Sequence, residues 1–217
     1  MYDGMTFDEL NALYDDENDP MSTDYDEYFD DMDLTDIQKE QRKDSAESLG
    51  EIFTWLLALV FTYIQEGVYD YTEAIVEAQR AYTDLVGNTD GLEVSDYFLN
   101  NHIPSTVMNT VGTMLNDPEK MFNFTVDRAR LIAENEANSM WNDSEFEEAL
   151  LAGKTHKTWH AIVDKRTRDD HRFINGKTIP ITEPFEVGDS LMYFPRDESL
   201  GASAEQIVNC RCSVSYS

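Results

Sequence analysis

Basic residues are scarce in this chain. Sixteen Lys and Arg stand against 44 Asp and Glu, a net charge of −28 over 217 residues. Phosphate backbones are gripped by clustered Lys and Arg, so this balance argues against direct nucleic-acid binding by the chain as a whole. Cysteine is nearly missing: Cys210 and Cys212 are the only two, one residue apart. Thiols so close in sequence cannot staple a domain, and the expectation is a reducing, cytoplasmic setting. The N-terminus, MYDGMTFDEL, is acidic where a secretory signal would be basic. No long apolar run is present either. The longest, Ile52–Ile64, falls short of the roughly 20 residues a bilayer core requires and reads as a core helix, so no membrane partner is expected. Gly-x-Ser-x-Gly, His-Glu-x-x-His and a phosphate-cradling glycine loop are all missing, which removes the commonest hydrolase and nucleotidase signatures.

What remains is ordinary globular material with an extraordinary charge distribution. Hydrophobic content is 41% and aromatic content 12%, enough for a core in one or two domains. Residues 151–217 carry nine bases and nine acids, so residues 1–150, with 35 acids and seven bases, hold the entire −28. A shift this sharp predicts a boundary near residue 150. Residues 1–36 contain 14 acids and no Lys or Arg, interleaved with aromatics. Such a block predicts a solvated, flexible arm, or a tail that docks through Tyr25, Tyr28 and Phe29 on a basic, apolar groove of a partner.

The coarse pattern predicts an α+β protein: an arm over 1–36, a helical region over 37–151 and a small α+β domain over 152–217. Thr35 is a plausible cap for a helix running to Gln65, with Gly67 interrupting and a second helix over Tyr69–Val86. A short helix is expected over Glu93–Asn101 and another from Pro104 to Leu115. Asn116-Asp117-Pro118 reads as the start of a long helix, with Asp143 or Ser144 capping a separate last turn that ends at Gly153. Beyond it, strands are predicted over Thr155–Val163, Lys177–Ile181, Phe185–Gly188, Leu191–Phe194 and Arg211–Tyr216, with a tight turn at Asn175-Gly176 and helical turns after Asp164 and over Ala202–Val208.

Reactive residue types concentrate in the last third, and three readings compete. In the first, Cys210, Cys212 and His171 hold a metal such as zinc, completed by a further His or Asp; a typical structural zinc motif, however, has two ligand pairs, and only one tight pair exists here. In the second, His171 beside Asp169 and Asp170, or with Asp164, serves a metal-dependent, nuclease-like hydrolase, and His160 with Asp164 orients a base. The third, which the residues favour, makes Trp159, Asp164, Arg168, His171, Asn209 and Arg211 the polar cluster of a small domain. There Arg166, Arg168 and Arg172 pair with Asp164, Asp169 and Asp170, Trp159 and Phe173 pack beneath, and no cofactor is required. An acidic mimic of DNA is a further alternative, motivated by charge alone.

The run from Trp159 to His171 (WHAIVDKRTRDDH), followed by Asn175-Gly176, Pro184-Phe185, Pro195-Arg196-Asp197 and Asn209-Cys210-Arg211-Cys212, resembles the C-terminal domain of phage Mu F-like minor head proteins. Ala129–Glu136 is similar to the helix that precedes this domain in the family. The resemblance spans about residues 127–216. It implies a non-enzymatic head-morphogenesis protein of a tailed bacteriophage, present in few copies and open to an oligomeric arrangement in the virion. Its implied partners are portal, major capsid or scaffold proteins. Its implied place is the head interior or portal vertex, after assembly in the host cytoplasm.

Overall fold

The computed structural model describes residues 4–14 and 25–217, with only the backbone of 25–27. It is α+β, as the pattern predicts. The helices are α1 (Phe7–Leu13), α2 (Tyr25–Asp30), α3 (Asp36–Glu66), α4 (Thr72–Asn88), α5 (Ile103–Asn116), α6 (Val126–Leu151), α7 (Asp169–Phe173) and α8 (Ala204–Ile207). The strands are β1 (His156–His160), β2 (Thr178–Pro180), β3 (Phe185–Val187), β4 (Ser190–Met192) and β5 (Ser213–Tyr216). They form an antiparallel sheet in the order β2-β1-β5 and a separate β3-β4 hairpin.

Helix α3 begins where the sequence signals it. Thr35 and Gln38 form a reciprocal capping box, and Gly67 closes the helix in the left-handed conformation (φ 68°) that glycine adopts without strain. By length and composition alone α3 could cross a bilayer. Here Leu49, Phe53, Leu56, Leu57, Val60 and Phe61 are instead buried in the protein's own core, beside α4 and α6.

The segment before α3 differs from a solvated arm. Thr6 and Glu9 make a capping box for α1, and Leu10 is buried. Tyr28 and Phe29, expected as docking residues, are buried in the same core. Their rings meet edge to face at 4.8 Å, and the Tyr28 hydroxyl donates to the Cys210 carbonyl (3.3 Å). Apolar rings placed among acids were thus drawn into the protein itself, which leaves neither exposed for a partner. The Tyr25 side chain and residues 15–24 lie outside the described residues.

Three helix boundaries also differ from expectation. The short helix before Pro104 does not stop: a π-helical turn, Phe98–His102, runs directly into α5. Pro104 has no N–H for the fourth carbonyl back and its ring crowds that carbonyl, so a widened turn lets the helix continue past it. Helix α6 starts at Val126 under a Thr125 cap rather than at Pro118; a 3-10 turn, Met121–Phe124, occupies the gap. Asp143 and Ser144 do act as caps, but for a neighbour. Asp143 accepts from the Ser95 backbone N–H (2.6 Å) and hydroxyl (2.8 Å), Ser144 accepts from the Glu93 N–H (3.0 Å), and α6 runs unbroken past both.

Helix α6 joins two hydrophobic cores. Ala129, Ala133, Ala137, Met140 and Trp141 belong to the core of the helical part. Phe146 and Ala149, one to two turns on, belong to a second core with Trp159, Phe185, Met192, Phe194 and Val214. In that second core Lys157 is buried, its ammonium 4.9 Å from the ring centres of Phe146 and Tyr193 and 5.2 Å from that of Phe185. Burial pulls its pKa down to about 8. Phe173, by contrast, is 89% exposed and does not pack under the sheet.

The contact between α3 and α6 is fastened by Arg42. Its guanidinium is fully buried, bonds both Glu145 carboxylate oxygens (2.9 and 3.0 Å) and reaches the Asn138 and Asn142 side-chain oxygens (3.3 Å each). Arg42→Ala leaves the Glu145 carboxylate with Gln38 Nε2 (2.9 Å) as its remaining donor and the Asn138 and Asn142 oxygens without the guanidinium. We expect it to cost about 3–5 kcal/mol, the penalty for breaking a buried pair, and to lower the thermal midpoint by on the order of 10 °C in a calorimetric scan. A midpoint within a degree or two of wild type would show that the pair contributes little.

Candidate functional site

The reactive residues of the last third converge on one buried point. Helix α7 turns His171 inward, and the loop between α8 and β5 brings Cys210 and Cys212 to the same imidazole nitrogen. Asn209, in the left-handed region (φ 56°) that asparagine tolerates, supplies the bend. Nδ1 of His171 lies 3.3 Å from Cys212 Sγ and 3.5 Å from Cys210 Sγ. All three side chains are buried. On the other side of the ring, Nε2 is 3.0 Å from Gln206 Oε1, and the Gln206 amide nitrogen donates to Asp170 Oδ2 (2.9 Å). A carboxylate only accepts, so the Gln206 NH2 must face Asp170 and its carbonyl must face His171. Gly188 backs this relay. A Cβ there would sit 2.6 Å from Asp170 Oδ2 and 2.8 Å from Gln206 Nε2, and the glycine adopts φ 57°. Trp159 covers the imidazole edge-on, 5.7 Å between ring centres.

These contacts shape the titration of the cluster. Burial raises the Cys210 thiol, but hydrogen bonds from Cys212 and His171 and the imidazolium charge outweigh it and hold the thiol well below its ordinary value. Cys212 moves the other way, raised by its bond with Cys210 and by burial. Burial lowers His171, and its bond and charge interaction with Cys210, with the Gln206 bond, leave it net raised.

Around this point lies the polar cluster. Asp164 pairs with Arg211 and accepts from the Thr167 hydroxyl (2.9 Å) and the Arg166 N–H (2.9 Å). Burial opposes its ionisation, but the Arg211 and Thr167 bonds dominate and set its pKa at about 2. Arg168 donates to the Val208 carbonyl, and Arg172 to the Asp164 carbonyl and to Asp169 (3.4 Å). Asp164 thus has two arginine partners, Arg211 and, at 3.7 Å, Arg166, the second of which the sequence suggests. Sequence reasoning did not foresee Gln206 or Gly188.

The hydrolase constellations do not form as direct pairs: His171 is joined to Asp170 through Gln206, and Asp169 faces Arg172. Among the described residues no hydrogen bond or ion pair joins His171 to Asp164. His160 faces Asp33 (2.7 Å) and Ser215 (2.7 Å) instead of Asp164. The cavity beside the cluster, lined by Ile162, Arg166, Thr167, Arg168, Asn209 and Arg211 together with His171, Cys210 and Cys212, measures about 10 Å³. That is below the usual range of substrate pockets, about 300–1,000 Å³.

A second buried network, missed from sequence, ties the small domain to α6. Arg196, held at φ 71°, inserts its guanidinium among α6 side chains. It donates to Ser139 Oγ (2.6 Å), Asn135 Oδ1 (2.5 Å) and the Ile207 carbonyl (2.8 Å), and lies 3.6 Å from Glu136. Glu136 also meets His102 Nε2 (2.8 Å), the Tyr82 hydroxyl (3.2 Å) and the Thr106 hydroxyl (3.2 Å). Asn135 and Asn209 bond each other reciprocally through backbone and side chain (3.0 and 3.1 Å), and Asn138 donates to the Cys210 and Cys212 carbonyls (3.2 and 3.4 Å). The available signal was the density of amide and carboxyl side chains along a predicted long helix, Glu134, Asn135, Glu136, Asn138 and Asn142 among them.

Residues 109–215, from within α5 to β5, match the family model described as Phage Mu protein F like protein. This stretch belongs to the Mu F-like family. No curated protein and no solved structure matches the chain. The family is one of phage head morphogenesis and is not an enzyme class. The Mu F-like stretch includes the whole of α6, so both the His-Cys-Cys point and the α6 network lie within it, apart from the helical partners Arg42, Tyr82, His102 and Thr106.

The His102–Glu136 pair gives the Mu F-like stretch a definite pH response. Burial lowers His102, but the Glu136 charge and bond outweigh it and lift its pKa to about 10; burial raises Glu136, and His102 and Arg196 bring it net below its ordinary value. A histidine raised in the folded state stabilises fully below its unfolded pKa of about 6.5. That contribution falls as pH rises toward 10, because the unfolded chain has already lost the proton. In denaturant titrations, His102→Gln should therefore be markedly less stable than wild type at pH 6, with the gap narrowing at pH 9.5. A gap independent of pH would mean that His102 is not protonated in the fold.

Proposed function

We propose that this protein is a minor head protein of a tailed bacteriophage that acts in head morphogenesis by binding other head proteins, the portal foremost, with inner capsid or scaffold proteins next. The observation that carries this reading is the Mu F-like match over 109–215. The reactive groups support it: His171, Cys210 and Cys212 are buried and mutually bonded, and Asp164 is engaged by Arg211, so none faces a cleft sized for a substrate. The charge pattern supports it too. A molecule with −28 concentrated in residues 1–150 is repelled by packaged DNA and attracted to basic protein surfaces. Apolar side chains that the fold leaves outside, among them Tyr69, Leu151, Val163 and Phe173, offer contact area for such partners. On this reading the protein resides in the virion, in the head interior or at the portal vertex, reached from the host cytoplasm during assembly.

Co-expression with the portal, coat and scaffold proteins of the same phage, followed by affinity capture of this chain, tests the reading. At least one of the three should co-elute in stoichiometric amount, with capture weakening as salt is raised from about 0.05 to 0.5 M, where the screening length falls from roughly 14 to 4 Å. Failure to retain any of them at low salt would overturn it. Displacement of duplex DNA from a DNA-binding enzyme by the purified chain would favour a DNA mimic instead.

A further inference from the structure

We propose that His171 Nδ1, Cys210 Sγ and Cys212 Sγ form a three-ligand site for a soft divalent cation, zinc above all, with the fourth position open to the adjoining cavity. Three independent features of the cluster carry this.

The first is spacing. In tetrahedral zinc with Zn–N about 2.0–2.1 Å and Zn–S about 2.3 Å, neighbouring nitrogen and sulfur ligands stand about 3.5 Å apart. Here the two N···S separations are 3.3 and 3.5 Å, and the three donor atoms all lie within 4.8 Å of one another. A metal could therefore enter with small side-chain adjustments and no rearrangement of backbone.

The second is the orientation of the imidazole. Asp170 fixes the Gln206 amide, and the Gln206 carbonyl accepts the Nε2 proton of His171. The nitrogen that faces the two sulfurs is then the one available to a cation. Metal-bound histidines are characteristically held in this way, by an acceptor on the far ring nitrogen that fixes the tautomer. Gly188, whose Cβ would collide with both Asp170 and Gln206, shows how tightly this relay is packed.

The third is charge and softness. Two thiolates and a neutral imidazole neutralise a divalent cation, so the loaded cluster can stay buried without a net charge, and sulfur ligands select zinc over the hard cations magnesium and calcium. The cavity lined by all three ligands is also lined by Arg166, Thr167 and Arg168, and its volume of about 10 Å³ is of the order that one water molecule in the fourth place requires. Closed structural sites have four protein ligands, so a site with three is one whose last ligand exchanges. The chain's 44 carboxylates are hard ligands and form a separate and weaker class of binding site that the test must tell apart.

The experiment is a cobalt(II) titration of the full-length, reduced protein, followed by displacement with zinc. Expected is a thiolate-to-cobalt charge-transfer absorbance with tetrahedral visible bands that saturates at one equivalent per chain and is erased by one equivalent of zinc. The Cys210→Ser/Cys212→Ser double variant should lose the signal. Gln206→Leu, which keeps the three ligands but removes the acceptor on Nε2, should keep the signal with affinity reduced about 10–100-fold. Absence of the charge-transfer band in the reduced wild type overturns the proposal, and this measurement decides even if the double variant fails to fold. Tightly bound zinc that persists in a folded double variant overturns it as well, because the carboxylates would then be the ligands. So would a mass two units below that of the reduced chain in protein isolated anaerobically, the mark of a resident Cys210–Cys212 disulfide.

Discussion

From Ala133 to Ser144, every residue of helix α6 is buried, and eight of the twelve are polar: Glu134, Asn135, Glu136, Asn138, Ser139, Asn142, Asp143 and Ser144. A helix in that position cannot be amphipathic in the usual sense, because it has no solvent face. Each polar side chain must find a protein partner or pay the full desolvation cost. The partners come from all around. Arg42 arrives from α3, Tyr82 from α4, His102 and Thr106 from the π turn and α5, Ser95 from the loop before them, and Arg196, Asn209 and the carbonyls of Cys210 and Cys212 from the small domain. Everything else in the architecture is arranged around meeting these demands.

This explains why the two cores are not two independent bodies. The charge boundary near residue 150 is real in composition, yet α6 crosses it and places Phe146 and Ala149 in the second core. The segment matched by the family starts upstream of that boundary for the same structural reason: the small domain has no complete polar network without the helix. Asn138 also connects α6 to the cysteine loop, so the position of the two sulfurs depends on the same helix that receives Arg42 and Arg196.

Much of the local structure was legible because it is governed by local rules. The Thr35 cap, the Gly67 stop, the turn at Asn175-Gly176 and the alternation through His156–His160 each depend on a few neighbouring residues. The grouping of Trp159, Asp164, Arg168, His171, Asn209 and Arg211 rests in the sequence on the density of charged and reactive types in the last third, and the family resemblance covers the same residues. What was not legible depends on long-range pairing. Asp143 and Ser144 have the chemistry of caps, and nothing near them in sequence says that they cap a helix start some fifty residues earlier. Tyr28 and Phe29 sit among acids, and only the fold shows that α3, α6 and the Cys210 carbonyl cover them. Arg196 stands in a Pro-Arg-Asp run that gives no local sign of the left-handed backbone directing it into α6.

The α6 network also has a consequence for biosynthesis. Chains are made from the N-terminus, and Asn138 must wait for carbonyls 72 and 74 residues downstream, while Asn135 must wait for Asn209, 74 residues on. Until then the emerging helix carries amides and carboxylates that belong to an interior not yet made, on a nascent chain whose own acids repel one another. The N-terminal helices cannot settle around α6 in their final packing ahead of the cysteine loop. The final packing around α6 is therefore completed only once the cysteine loop has been made.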